Sequence, residues 1–178
     1  KSIKKNPLEA KKNFGFVPDN PDMFLKLKGI EYLNFMADIY DIPKNKIKEK
    51  IENLTKKFEI YNELNNQIQS YSHGMRQKIV ICGALLSEPK NWILDEPMTG
   101  LDPKSSFDLK EMMREHSKSG KTVFFSTHVL EVAEKLCDRV GIINKGKLVF
   151  VGTFEEMKQK FKEQASLEEL FLEITEQE

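Results

Sequence analysis

The sequence lacks the features that would place it in a membrane or on nucleic acid. Its longest apolar stretches, such as IVICGALL at residues 79–86, fall far short of the ~20 residues that span a bilayer. Its 28 basic and 28 acidic residues balance, so the net charge favours neither nucleic acid nor an anionic surface as a partner. Cys82 and Cys137 have neither C-x-x-C nor metal-ligand spacing, which favours buried free thiols. We therefore expect a soluble, unexported chain without a nucleic-acid partner.

A loop able to hold a phosphate is also missing. Among nine glycines, only Gly141 and Gly146 have the G-x-x-x-x-G-K spacing. Leu148 stands where such a loop needs a Ser or Thr for Mg²⁺, and the strand-like KLVFV at 147–151 follows where a helix must begin. This stretch instead predicts a β-hairpin in which Asn144 and Gly146 supply the turn geometry.

Short apolar runs of strand type alternate with helical stretches, a pattern typical of an α/β fold with a largely parallel sheet. Asp102 and Pro103 form a helix start and Gly120 a stop, which predicts a helix over 103–118 between two parallel strands. The strand-type runs are FGFV at 14–17, WIL at 92–94, TVFFS at 122–126, VGII at 140–143 and KLVFV at 147–151. The pairs with capping-box spacing, which predict two short closing helices, are Thr153 with Glu156 and Ser166 with Glu169.

Between residues 29 and 87 the pattern is helical only. A single buried stripe is predicted by apolar residues at helical spacing, and lysines and glutamates fill the other positions. We therefore predict that residues 1–19 and 89–178 form an α/β core and that 20–88 form an inserted all-helical subdomain. The members of the stripe are Ile47, Ile51, Leu54 and Phe58.

The run at 92–94 ends on two adjacent carboxylates, Asp95 and Glu96. An isolated Asp-Glu-Pro could merely end a strand in a solvated turn. Here Asp102 follows in GLDP, and His128 follows the next predicted strand in STH. Because catalytic groups of open α/β sheets gather at the carboxyl ends of strands, we expect Asp95, Glu96 and His128 to converge.

A second group of residues lies in YSHGMRQK at 71–78. Ser72, His73 and Gly74 open a predicted amphipathic helix whose first N–H groups and partial positive charge would suit an anion. The same residues are also sufficient as an ordinary N-cap followed by a flexible first turn. Taken alone, the stretch leaves both interpretations open.

In chain order, these segments resemble the second part of an ATP-binding cassette (ABC) ATPase. The likeness covers nearly the whole chain, and the combination of motifs is specific. It implies a P-loop NTPase-like, mostly parallel sheet, incomplete here, with an inserted helical subdomain. The matching segments are FVPD at 16–19 before the Q-loop, YSHGM at 71–75 for the signature motif, WILDEP at 92–97 for Walker B, GLD at 100–102 for the D-loop and STH at 126–128 for the H-loop.

The resemblance implies ATP and Mg²⁺ as ligands. By analogy, Asp95 would hold Mg²⁺ mainly through water, and Glu96 would orient and deprotonate the attacking water. His128 would contact the γ-phosphate, which fits the charge stabilisation that phosphoryl transfer needs. Asp19 stands where the family usually has Gln, so a shorter, charged side chain occupies a position that ordinarily contacts metal and water.

The resemblance also implies two protein partners. Ser72 and Gly74, with His73 between them, would contact ATP held by a second ATPase subunit in a head-to-tail dimer, and Asp102 would carry contact across that interface. The helical segment 20–88 would form the groove that receives an integral membrane permease. The protein would then be cytoplasmic and peripheral on the inner face of the cell membrane.

Two departures from the family pattern bear on transport direction and on activity. His73 and Met75 replace the middle glycine and final glutamine of the common signature, a variant that resembles bacterial export-type ATPases. The phosphate loop is absent, which we interpret as truncation of the chain. The strand at 122–126 should then be an apolar edge. We expect the 178 residues alone to hydrolyse ATP negligibly and to be unstable or self-associated.

Two other functions remain as alternatives. Soluble members of the family act without a membrane partner, although those carry tandem cassettes or a long coiled-coil insertion. A naturally shortened chain could instead serve as a non-catalytic interaction module. The transported substrate cannot be predicted, because the membrane subunit selects it in this family.

Overall fold

The computed structural model describes residues 2–160, 169 and 171–172, and its helices and strands alternate as in an α/β protein. The chain forms two compact units, Lys1–Ser126 and Thr127–Glu178. Two 3₁₀ turns, Tyr61–Glu63 and Ile68–Ser70, lie between α3 and α4. The elements are α1 Pro7–Lys11, β1 Phe14–Val17, α2 Gly29–Ile39, α3 Lys44–Lys57, α4 His73–Leu85, β2 Asn91–Asp95, α5 Pro103–Lys118, β3 Thr122–Ser126, α6 Leu130–Leu136, β4 Val140–Asn144, β5 Lys147–Gly152 and α7 Phe154–Lys160.

A parallel sheet organises the first unit. Its order is β1-β2-β3, and α5 makes the connection between β2 and β3. The predicted parallel sheet and the helix over 103–118 are therefore confirmed. Strand β3 lies at an edge of the described sheet, also as predicted, and Phe124 on it is 66% exposed. Gly15 on β1 allows close packing of α4, because a Cβ there would lie 2.5 Å from the Ala84 carbonyl oxygen.

Helix α4 is buried on every side over most of its length. All nine residues from Gln77 to Leu85 are buried, because α2, α3 and β1 pack around the helix. The prediction of an amphipathic helix here is wrong, since its neighbours in the fold cover the face that would otherwise meet water. The predicted stripe of α3 is partly confirmed: Ile51 and Phe58 are buried, whereas Ile47 and Leu54 are half-buried.

The second unit contains the predicted antiparallel hairpin of β4 and β5. Positive φ angles lie at Lys145 (46°) and Gly146 (78°), so these two residues form the turn, not Asn144 as predicted. Asn144 pairs with Lys147 across the hairpin, which leaves a two-residue connection of the type whose twist matches the strands.

Helix α7 begins with the predicted capping box. The Glu156 carboxylate accepts the Thr153 N–H at 2.8 Å, and the Thr153 hydroxyl accepts the Glu156 N–H at 3.1 Å. The second predicted closing helix, beginning at Ser166, lies outside the described residues. The small core of this unit consists of Ile142, Phe150 and Met157.

The prediction of buried thiols is confirmed for one of the two cysteines. Cys82 is fully buried, and Cys137, just beyond α6, is only half-buried. Burial raises the pKa of both thiols, to about 11 for Cys137.

Within the described residues no helix is both long and apolar enough to cross a membrane. The separation of an α/β core (1–19 and 89–178) from a helical subdomain (20–88) stays a prediction.

Candidate functional site

Parallel pairing brings the side chains of Asp95 and Ser126 to one end of the sheet. Asp95 is the last residue of β2 and lies opposite Ser126, the last residue of β3. The Ser126 hydroxyl donates to Asp95 Oδ1 at 2.5 Å and accepts the Glu96 N–H at 3.2 Å. One hydroxyl therefore orients the Asp95 carboxylate and anchors the backbone of Glu96. Asp19 lies two residues beyond the end of β1 at the same end of the sheet and is exposed.

Glu96 begins a tight turn in an unusual backbone conformation. Its φ is 43°, in the left-handed region that disfavours residues with a Cβ. The Glu96 carbonyl accepts the Thr99 N–H at 3.1 Å, and Gly100, with φ 75°, carries the turn onward. Strained backbone of this kind clusters at functional sites, because the surrounding structure must hold it in place.

The start of α4 is the accessible part of an otherwise buried helix. Ser72 is its N-cap and accepts the Met75 N–H at 3.3 Å, and both Ser72 and His73 are exposed. Tyr71, directly before the cap, is buried and donates its hydroxyl to the Glu63 carbonyl at 2.7 Å. Burial raises the pKa of Tyr71 to about 12, so the hydroxyl remains a donor at neutral pH.

The turn that follows Glu96 rests against this helix start. A Cβ on Gly74 would lie 2.6 Å from the Gly100 carbonyl oxygen, and a Cβ on Gly100 would collide with the His73 ring. Beyond the turn, Asp102 caps α5 and forms an ion pair with Lys78 of α4 at 2.9 Å. The two motifs quoted from the sequence as YSHGM and GLD are therefore in contact within one chain.

Arg76 connects the same helix to the segment after β1. Its guanidinium donates to Asp22 at 2.7 Å and to the carbonyls of Ile68 and Gln69 at 3.3 and 2.9 Å. Asp22 lies three residues beyond Asp19 in the chain. The first two turns of α4 thus hold polar contacts to the segments that follow both β1 and β2.

His128 belongs to the second unit, where it is exposed two residues beyond the end of β3. Its predicted convergence with Asp95 and Glu96 stays a prediction. Among the described residues, no group of three or more His, Cys, Asp or Glu side chains could form a metal site on its own. Mg²⁺ is usually held by only one or two carboxylates together with water and substrate phosphates, so the single carboxylate of Asp95 fits this ion.

Comparison with known proteins gives the family. Residues 2–99 match the model of the ABC transporter family. The chain belongs to the ABC transporter family. The resemblance read from the motifs is therefore confirmed, and so is the P-loop NTPase type of fold.

Named relatives agree with this ABC assignment. The ABC-type transporter ATP-binding protein EcsA of Bacillus subtilis is 34% identical over 176 residues, which cover 98% of this chain and 71% of EcsA. A solved structure described as the ATP-binding subunit of an ABC transporter has a TM-score of 0.92 at 31% identity, over 98% of this chain and 73% of that one. For other curated relatives, the share of their length that this chain spans falls to 43%.

A third protein shares the ABC fold at lower identity. It is cbiO1 from Clostridium perfringens, described as part of the ABC transporter complex cbiONQ. Its TM-score is 0.70 at 24% identity, over 89% of this chain and 64% of cbiO1. At this identity the likeness concerns the fold alone.

Sequence reasoning missed three polar residues of this ABC chain: Ser126, Arg76 and Lys78. Ser126 had a usable signal, because it ends the strand beside β2 in a parallel sheet. Arg76 and Lys78 had none, since their partners Asp22 and Asp102 lie 54 and 24 residues away in the chain. Both cations stand within the first two turns of α4, close to residues that were singled out for other reasons.

Proposed function

We propose that this chain is part of the ATP-hydrolysing subunit of an ABC transporter. The observation that carries the proposal is the acid pair at the end of β2. Ser126 orients the Asp95 carboxylate, and the strained turn at Glu96 begins directly after it. This arrangement presents two carboxylates at the edge of a parallel sheet, where α/β enzymes place their chemistry.

The two carboxylates would have different tasks. Asp95 is exposed and its Oδ1 accepts the Ser126 hydroxyl, so the oriented carboxylate suits Mg²⁺ or a water of its shell. When bound, Mg²⁺ neutralises charge on the phosphates. Glu96 acts as the general base that orients and deprotonates the attacking water. His128 contacts the γ-phosphate, and Asp19 is the carboxylate offered from the end of β1.

A second copy of the subunit completes each ATP site in this proposal. The first turn of α4 is accessible at Ser72 and His73, and a helix N-terminus favours an anion. We assign Ser72, His73 and Gly74 to the γ-phosphate of ATP held by the facing subunit. Asp102 belongs to the same interface, although its carboxylate already accepts three hydrogen bonds within its own chain.

The membrane partner would dock on an exposed aromatic cluster of the helical segment. Phe24 lies 5.5 Å from Phe35 and 5.6 Å from Tyr32, ring centroid to ring centroid. Phe24, Phe35 and Ile39 are 45%, 43% and 50% exposed, and clustered exposed apolar side chains of this kind favour a site of protein interaction. We propose a permease subunit there, with the ATPase peripheral on the inner face of the membrane, where ATP is available. The signature variant favours an exporter.

The test uses the full-length product of the reading frame and measures Mg-ATP binding and hydrolysis. Replacing Glu96 with Gln should leave ATP affinity unchanged and lower turnover by about 10²-fold or more, because a general base contributes 10²–10⁴-fold. Glu115→Gln, at an exposed position on α5, is the matched control and should hydrolyse ATP normally. Normal turnover by Glu96→Gln would remove Glu96 as the base, and an inactive wild type would overturn the ATPase proposal.

A second arm tests the partner. Phe35→Glu should abolish copurification with a coexpressed permease subunit, while ATP hydrolysis by the isolated protein stays normal. Phe107→Glu, which changes a 61% exposed aromatic on α5, should copurify as the wild type does. If Phe35→Glu and Phe107→Glu behave alike, the aromatic cluster is not the docking surface.

A further inference from the structure

Lys78 is a buried cation that the proposed chemistry does not use. It stands on α4, six residues after the N-cap Ser72, and its side chain is 11% exposed. Among the described residues it is the one charged side chain in the buried class. Lysine is almost never fully buried unless it is paired, so its partner is informative. That partner is Asp102, 2.9 Å away.

Asp102 does not need Lys78 in order to cap α5. Its Oδ1 accepts the Ser105 N–H at 2.9 Å, which is the N-cap hydrogen bond, and its Oδ2 accepts the Ser105 hydroxyl at 2.7 Å. These two bonds and the Lys78 ion pair hold the pKa of the Asp102 carboxyl below its usual range. The ion pair is therefore additional to a cap that is already complete.

The ion pair also contributes little that the fold requires. The Lys78 side chain is 11% exposed but that of Asp102 is 51% exposed, and ion pairs that reach solvent typically add little to stability. Methionine would fill the volume of Lys78 without desolvating a charge. A lysine at this position therefore indicates a role other than stability.

A second contact shows what the ion pair fixes. At the other end of the turn, Gly74 and Gly100 approach so closely that a Cβ on Gly74 would lie 2.6 Å from the Gly100 carbonyl oxygen. The segment from Gly100 to Asp102 is thus held to α4 at both ends, once through backbone contact and once through Lys78. Gly100 has φ 75°, so this conformation also depends on a residue without a Cβ.

We propose that Lys78 is a positioning residue that fixes the turn from Gly100 to Asp102 on the first turns of α4. The turn and the helix start then move as one body. This inference rests on the proposed function, in which the helix start at Ser72 faces the ATP of the second subunit. In this proposal Lys78 has no role in binding ATP or the attacking water, and it acts by setting how two interface segments are presented together.

The experiment compares Lys78→Met with Lys78→Arg in the full-length protein. Lys78→Met should keep its thermal midpoint and its KM for ATP, while kcat falls about tenfold or more, because a small misplacement of catalytic groups is costly. Lys78→Arg should recover most of kcat, since it restores a cation. Lys104→Met is the matched control: Lys104 lies two residues beyond Asp102, is 66% exposed and pairs with Glu59, so kcat should be normal.

Hydrogen exchange gives a readout that does not depend on activity. Amides of the peptide covering residues 97–102 should exchange several-fold faster in Lys78→Met than in the wild type, Lys78→Arg or Lys104→Met. Asp102→Asn keeps a good N-cap acceptor but removes the charge, so it should reproduce the faster exchange of Lys78→Met. Asp102→Asn decides the question if Lys78→Met does not fold.

The outcomes separate this inference from the function on which it rests. Wild-type kcat and wild-type exchange in Lys78→Met, in a protein that Glu96→Gln inactivates, would overturn the positioning role alone. A kcat loss that Lys78→Arg does not recover would also overturn it. A wild type that does not hydrolyse ATP would instead refute the proposed function, and the exchange measurement would still report on the turn.

Discussion

The strained backbone at Glu96 predicts that glycine at this position is more stable than alanine. Its φ of 43° lies in the left-handed region, which costs a residue with a Cβ roughly 1–2 kcal/mol. The strain cannot relax, because the Glu96 N–H donates to Ser126 and its carbonyl accepts from Thr99. Glycine at this position should release it.

The magnitude follows from comparing Glu96→Gly with Glu96→Ala. Both remove the carboxylate and all its contacts, so the comparison isolates the Cβ. Glycine relieves roughly 1–2 kcal/mol of strain, offset by about 0.4–1 kcal/mol for the greater freedom of glycine in the unfolded chain. Glu96→Gly should therefore unfold with a free energy about 1 kcal/mol higher, which raises the thermal midpoint by about 2–4 °C in a domain of this size.

Thermal and urea unfolding of Glu96→Gly and Glu96→Ala measure this difference in stability. Both variants should have lost ATP turnover. The same pair of substitutions at Glu115, an exposed position inside α5, is the control. There glycine should be less stable than alanine by about 1 kcal/mol, as in any helix interior. If glycine is no more stable than alanine at Glu96, the idea that this turn stores strain is refuted.

Two further predictions concern Ser126, at the site, and His116, which packs against Trp92 near the start of β2. Ser126→Ala removes the hydrogen bonds to Asp95 and to the Glu96 N–H, so kcat should fall about 10–100-fold. Ser126→Thr keeps the hydroxyl and should keep most of the activity. Equal kcat for Ser126→Ala and the wild type would contradict the orienting role of Ser126. Burial and the positive charge of Lys121 lower the pKa of His116, so the folded state favours neutral imidazole. The wild type should lose stability as pH falls below about 6.5. In His116→Gln the thermal midpoint should change less between pH 8 and 5 than it does in the wild type. If the midpoints of both proteins change with pH by the same amount, His116 is not the cause.

Features that local sequence encodes were predicted well. Helix α5 runs from Pro103 to Lys118 as expected, because its ends depend on neighbours in the chain: Asp102 caps it, and Gly120 ends it with φ 80°. The acid pair was found for a similar reason, since a strand that ends on carboxylates can be read from a few consecutive residues.

Features that depend on distant contacts were missed or mistaken. The predicted amphipathic character of α4 failed because α2, α3 and β1 surround the helix, which its own residues do not reveal. Nothing in the sequence singled out Lys78, because its partner Asp102 is 24 residues away. In the hairpin, Asn144 was the residue type expected at positive φ, but the strand register gives that conformation to Lys145.

The burial of α4 limits which substitutions this protein can accept as its sequence evolves. Residues 77–85 are closed in on all sides, so a new side chain there must be accommodated by several neighbours at once. The exposed start at Ser72 and His73 is free of that restriction. In the proposed dimer, substitutions at these few exposed positions could therefore decide whether duplicated copies of the subunit form homodimers or heterodimers, while the buried part of the helix stays the same.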